Sequence, residues 1–271
     1  MGISGPILTN IITTDPNILG RSLKNKIIPS FNFLKSLIPD DIGSIGATLR
    51  RSTWILHSIE TTLGPSISIL RKHGVPDSSI SKLVISQPRT LVQKPDQINK
   101  IVLELKEMSF SPSNMVFVRG FAVLSGIKKP AWEAKFAVFK SFGWSDQEIM
   151  SVFRKQPIVM AASVEKIRTS LDYFMNKQNW TQIEISIFPT VLLLGMEKRV
   201  IPRCSVTQVL LSKGLIKKKQ MGTALIVAEA VFLKNFVIKY QKEVPELMKL
   251  YQSKMGILGL DIRSVESSLY N

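Results

Sequence analysis

The chain has 271 residues, 45% apolar and 21% charged, which excludes a disordered tail and leaves room for one large domain or two small ones. Its 36 lysines and arginines outnumber 20 acidic residues, and the formal charge of +16 makes a polyanion the first partner to consider. A lone cysteine, Cys204, excludes an internal disulfide, and with only two histidines the usual structural zinc sites cannot be built.

The first residues, MGISGPILTNIITTDP, show neither a basic segment ahead of an apolar core nor an Arg-rich amphipathic pattern, so no targeting segment is visible. Pro6 stands where a myristoylation signal wants Ser or Thr. Residues 1–19 read as the second half of a helical unit whose first helix is absent. From there the prolines keep time. Pro16, Pro88, Pro157 and Pro189 open PNIL, PRTL, PIVM and PTVL, and TWIL at Thr53 and FAVL at Phe121 fill the midpoints. The series 16, 53, 88, 121, 157, 189 has a period of about 35, as stacked helical repeats require.

Glycines run in phase with the prolines. Gly74 and Gly143 each lie 14 residues ahead of Pro88 and Pro157, after an apolar segment, and are expected to end a helix in the left-handed conformation. Residues 95–108 carry Ile98, Ile101, Val102, Leu105 and Met108 on one helical face. Ser111 with Pro112 reads as a helix start, and 131–142 repeats a helical stripe with Trp132, Phe136 and Phe139. Ser145–Glu148 and Thr181–Glu184 are capping boxes, and 163–177 is a helix with Ile167, Leu171 and Phe174 inward. Each unit is thus a helix, a glycine turn, a shorter helix and a proline break, which buries its apolar stripe only by stacking on neighbours. Among the tryptophans, Trp54 and Trp132 are expected in the core, and Trp144 and Trp180 half exposed but packed.

No run of 18 apolar residues occurs, so no membrane span is expected. The net charge is +2 over residues 1–60, +6 over 61–130, +2 over 131–200 and +6 over 201–271. An excess spread in this way suits a long surface along a long anion, the plain alternative being a solvated basic surface.

The units PRTL with GVPDSSISKL and FGWSDQEIMSVFRKQP, and above all the block MEKRVIPRCSVTQVLLSKGLIKKK continuing to FLKNFVIKYQKEVPELMKLY, resemble the plant branch of the mitochondrial transcription termination factor (mTERF) family. The likeness covers residues 10–255. It implies an all-α superhelical solenoid of mTERF-type repeats of about 35 residues that binds nucleic acid in organelle gene expression, in a mitochondrion or chloroplast. A single repeat domain over 1–255, its N-terminal repeat incomplete, and a tail over 256–271 are expected.

Phosphate contacts need cations that several repeats aim at one groove. Arg50 and Arg51 precede TWIL, Arg154 and Lys155 precede Pro157 in nearly the same phase, and Arg89 follows Pro88. Lys198, Arg199 and Arg203 follow Pro189, and Lys217, Lys218 and Lys219 form the densest basic run. Arg199 and Arg203, four apart on one face, are the leading pair, with a salt bridge from Lys198 or Arg199 to Glu197 or a neighbouring helix as the rival role. Lys128 and Lys129 read as a solvated loop.

Nothing reads as an active site. His57 and His73 have no carboxylate or cysteine at ligand spacing, Cys204 has no histidine nearby, and no phosphate-binding glycine loop occurs. Asp40–Asp41 and Asp146–Glu148 fit turn or capping positions. The expectation is a monomeric, non-enzymatic nucleic-acid binder without metal, cofactor, membrane or small-molecule substrate. Double-stranded DNA and transcription termination or regulation lead. Organellar RNA processing and a protein-binding scaffold remain the alternatives.

Overall fold

The computed structural model describes residues 5–38 and 42–256, without the side chains of Ile42, Arg51, His57, Ser58, Glu60 and Thr62. Expectations for Met1–Ser4, Asp40–Asp41, the side chains of Arg51 and His57, and residues 257–271 lie outside what is described. The described residues are all helix and turn, without a strand. None of their helices is long and apolar enough to cross a membrane. They fall into two compact units, Met1–Lys129 and Pro130–Asn271.

The first unit holds α1 (Gly5–Thr14), α2 (Ile28–Leu37), α3 (Ile42–Arg51), α4 (Ile55–Ser58), α5 (Gly64–Lys72), α6 (Asp77–Ser86), α7 (Pro95–Glu107) and α8 (Met115–Gly126). α4 and α5 join through a wide turn over Ile59–Leu63 into one long first helix, and α6 is its shorter second helix. α5 packs on α7, α7 on α8 and α6 on α8, so consecutive repeats share neighbours. The stripe Ile98, Ile101, Val102 and Leu105 is buried, as its spacing requires.

The second unit begins in α9 (Lys129–Ser141). It continues through α10 (Asp146–Lys155), α11 (Val164–Leu171), α12 (Gln182–Ile187), α13 (Ile201–Ser212), α14 (Lys218–Ile226), α15 (Glu229–Phe232) and α16 (Leu247–Met255). Both capping boxes form. Ser145 Oγ accepts from the Glu148 N–H while the Glu148 carboxylate accepts from the Ser145 N–H at 2.8 Å. Thr181 and Glu184 do the same.

Four prolines of the series, 16, 88, 157 and 189, each open a 3-10 turn. At Thr53 the chain makes a turn, closed by Ile55 N–H to Ser52 O. FAVL is different: Phe121 is buried inside α8, and the break comes after Gly126. An apolar triplet without its proline carries no stop signal, so the helix runs through it. The start expected at Ser111–Pro112 also moves, because Asn114 caps α8 by accepting from the Val116 N–H.

A stricter metronome is conformational. The turns between first and second helices place a positive φ at Gly74 (86°), Ser109 (67°), Gly143 (79°), Asn179 (52°) and Gly214 (70°). These positions recur about every 35 residues whether or not the residue is glycine. At Gly143 an added Cβ would meet nothing nearer than Gln182 Nε2 at 3.6 Å, so a substitution there is opposed by backbone strain alone. Gly143→Ala should therefore destabilise the protein by about 1 kcal/mol, and Ser109→Gly, relieving the same strain, should stabilise it by up to about 1 kcal/mol. Chemical denaturation of the two variants checks both signs.

Candidate nucleic-acid interface

The anchor turns pose a polar problem that fixes where cations go. The anchor segment after each second helix leaves carbonyls without helical donors, and a buried carbonyl needs a partner. In repeat after repeat the long first helix supplies it. In the first unit Ser30 Oγ donates to Leu56 O at 2.9 Å and Ser66 Oγ to Leu91 O at 2.8 Å. Gln93, just ahead of α7, donates to Ser125 O at 3.3 Å. In the second unit Lys135 Nζ donates to Met160 O at 2.7 Å, Ser170 Oγ to Leu192 O at 3.2 Å, and Lys166 Nζ to Leu194 O. Burial lowers the pKa of both lysines.

Arg199 and Arg203 are the last members of this series. After α14 no proline turn intervenes before α15, so four carbonyls in a row need donors. Arg203 Nη1 donates to Ala224 O at 2.9 Å, Leu225 O at 3.2 Å and Val227 O at 2.7 Å. Arg199 donates to Leu225 O through Nε at 2.9 Å, and through Nη2 to Ile226 O at 2.9 Å and Val227 O at 2.6 Å. Arg203 is wholly buried, pairs with Glu229 Oε2 at 2.7 Å, and lies 4.6 Å from the centre of the Phe232 ring. Tyr251 donates to the other Glu229 oxygen, tying α16 to the same knot. Burial, the Glu229 hydrogen bond and the Glu229 charge hold the Tyr251 hydroxyl above its usual range. Burial first, then the Arg203 charge, lowers the Arg199 guanidinium.

The leading pair of the sequence analysis is thereby corrected. The face that Arg199 and Arg203 share is turned inward. Arg203 has no surface to offer a phosphate, and Arg199, half-buried, is engaged by three carbonyls. The signal was available: Arg203 stands three after Val200 and four before Thr207, both buried, just as Lys135 stands between Trp132 and the buried Phe139.

The other candidates whose side chains are described are surface residues. Arg50 in the last turn of α3, Arg89 in the Pro88–Leu91 turn, and Arg154 and Lys155 at the end of α10 are exposed. All stand where a second helix gives way to its anchor turn. Lys155 Nζ also donates to Ser186 O at 2.8 Å. Lys198 is exposed in the turn leading into α13. Lys217, Lys218 and Lys219 are exposed at the start of α14, and Lys218 bridges to Glu184 at 2.8 Å and to Asn179 O at 3.2 Å. Arg154 and Lys155 are neighbours at the end of α10, and Lys217, Lys218 and Lys219 are neighbours at the start of α14.

The remaining candidates behave as structure. His73 follows α5, with Nε2 2.8 Å from Asn99 Oδ1 and Nδ1 3.1 Å from Lys106 Nζ. Cys204 is buried, and burial raises its thiol to about 12 despite a hydrogen bond with Tyr173. Among the described residues no three His, Cys, Asp or Glu side chains group as metal ligands. The tryptophans reverse expectation: Trp144 and Trp180 are buried, while Trp54 and Trp132 are half-buried, Trp132 edge-on to Phe153.

A family model for mTERF matches residues 1–119 and again residues 115–233. The chain belongs to the mTERF family. The chloroplastic transcription termination factor MTERF8 of Arabidopsis thaliana is 23% identical over 227 residues, covering 70% of this chain and 45% of that protein. This mTERF chain thus spans less than half the length of the relative it matches.

Two outcomes test the assignment of charges. Arg203→Ala should destabilise the protein by roughly 1–3 kcal/mol, because the buried Ala224 carbonyl loses its side-chain donor and Glu229 its cation, and leave polynucleotide affinity per folded molecule unchanged. Denaturant titration beside a binding assay reads both. The Glu184 carboxyl is raised by burial but lowered more by Lys218 and the Thr181 N–H, so its net pKa is depressed. That contribution is present above the ordinary glutamate pKa of about 4.3 and is lost as pH falls through the depressed value. Glu184→Gln should be less stable than the parent at neutral pH, and the gap should close in acid.

Proposed function

We propose that this mTERF protein is a non-enzymatic regulator of organellar gene expression that grips a polynucleotide, double-stranded DNA first, through its phosphates. The observation that carries the reading is the recurrence of exposed cations at the junction of second helix and anchor turn: Arg50, Arg89, Arg154 and Lys155. A cation at a helix C-terminus is also favoured by the helix dipole, which covers Arg50, Arg154 and Lys155 but not Arg89, inside its anchor turn. Arg51 in α3 and Lys198, in the turn that opens α13, are proposed to add to these contacts, and Lys217, Lys218 and Lys219 form a second cluster. Family membership and the name of the chloroplastic relative support a role in transcription termination or regulation within a plastid or mitochondrion.

Contacts of this kind position a duplex without reading its bases. Affinity should fall steeply with salt and vary little with sequence. In Arg89→Glu/Arg154→Glu, affinity should drop by a similar factor on unrelated duplexes, and the slope of log K against log salt should shrink by about one for each phosphate no longer neutralised. Titrating labelled duplex DNA and single-stranded RNA at several salt concentrations tests this. Tighter binding of RNA would turn the reading to RNA, and no binding of either at low salt would remove it.

A further inference from the structure

The layer of second helices opens at one place in the second unit. α10 packs against α12, whereas α14 packs on α13 and on the Pro189–Leu193 turn. Between α12 and α14 lies an open cleft of about 510 Å³, walled by Trp180, Ile187, Phe188, Lys218, Lys219 and Thr223. Its floor depends on Gly222: a Cβ there would stand 2.2 Å from Phe188 Cδ2, so only glycine lets the ring lie against α14. The lining is chiefly apolar. Along α12 the apolar surface continues in Ile183 and Ile187, one helical turn apart and 70% and 57% exposed.

The rim is cationic in an unusual place. Lys217, Lys218 and Lys219 open α14 with no acidic residue in its first turn, at the positive end of the helix dipole. Lys218 is held across the mouth by Glu184. Lys217 and Lys219 add unbalanced positive charge beside an apolar surface.

We infer that this cleft docks an acidic amphipathic helix of another protein. Apolar side chains of the partner enter beside Ile187 and Phe188, and its carboxylates meet Lys217 and Lys219. Three features select this occupant over a nucleic-acid strand. Ile183 and Ile187 are aliphatic, and the two aromatic walls are taken up in packing, Trp180 buried on Phe174 and Phe188 against Gly222, so little face is offered for stacking bases. Their spacing of four matches the apolar ridge of a helix laid alongside. The positive end of α14 with its lysines complements carboxylates. The inference stands apart from the grip proposed for Arg50, Arg89, Arg154 and Lys155 but shares Lys217 and Lys219 with the second cluster proposed there, so the isoleucine variant and not the lysine variant separates the two.

The test uses the full chain and a fluorescein-labelled peptide with leucines on one helical face and glutamates on the other. A peptide of the same composition, scrambled to destroy the apolar face, is the control for net charge. The amphipathic peptide should bind roughly tenfold more tightly than the scrambled one. Ile183→Ser/Ile187→Ser, which alters only exposed side chains and leaves the charge unchanged, should abolish that preference and leave duplex DNA and RNA affinity intact. Lys217→Glu/Lys219→Glu should weaken both peptides. Equal binding of the two peptides, or a preference that survives the isoleucine changes, would overturn the inference. So would loss of RNA binding in the isoleucine variant, which would assign the cleft to nucleic acid. Because polynucleotide binding is read separately, failure of the proposed function leaves this result interpretable.

Discussion

Carbonyl groups of the anchor segments that follow the second helices govern how each repeat is built. A helix that stops leaves acceptors without donors, and here those stops are packed against the preceding long helix rather than solvated. A side chain from that helix must reach them. Where the gap is small a serine suffices, as at Ser30, Ser66 and Ser170. Where it is wider a lysine does it, with its ammonium partly desolvated, which is why Lys135 and Lys166 have lowered pKa values. Where the proline turn is missing, two arginines close four carbonyls together. Each neutral bond of this kind contributes about 1 kcal/mol and each charged one roughly 1.5–3 kcal/mol, but the larger effect is the penalty if the donor is absent.

This device changes what the +16 charge means. Part of the excess is internal: Lys135, Lys166, Arg199 and Arg203 answer backbone carbonyls, and Arg203 adds a carboxylate partner in Glu229. The surface excess is correspondingly smaller than the total. A polyanion would then meet cations held at the turns, on backbone that the anchor bonds keep in place. The same bonds that stabilise a repeat thus set the positions of Arg89, Arg154 and Lys155.

Features encoded by a few neighbouring residues were legible in the sequence. Proline turns, capping boxes and the left-handed glycines at 74 and 143 depend on local sterics and local hydrogen bonds, and each formed where its residues stand. The all-α class followed from helical stripes of the kind seen at Ile98–Leu105. Features that depend on a distant partner were not legible. FAVL at Phe121 looks like an anchor by composition, yet its backbone is helical because no proline stops it. Arg203 looks like a phosphate ligand until the α14 carbonyls, more than twenty residues on, are placed against it. Trp144 follows a turn in sequence, and its indole N–H reaches the sulfur of Met175, on the next long helix.

The positive-φ turns carry that distinction one step further. Between first and second helices the chain must reverse within a few residues, and a left-handed residue accomplishes this with the fewest atoms. Glycine takes the position without strain at 74, 143 and 214. Serine holds it at 109 and asparagine at 179, where a side chain makes the conformation less favourable but not forbidden. Packing on both sides of the turn therefore imposes the conformation, and residue choice only adjusts how much strain is stored. A search for glycine alone finds three of the five turns. The conformational period finds all five, and it is kept more evenly than the proline series, whose members at 53 and 121 have no proline. In this fold the repeat is kept as geometry, and the sequence follows it as closely as the strain at each turn requires.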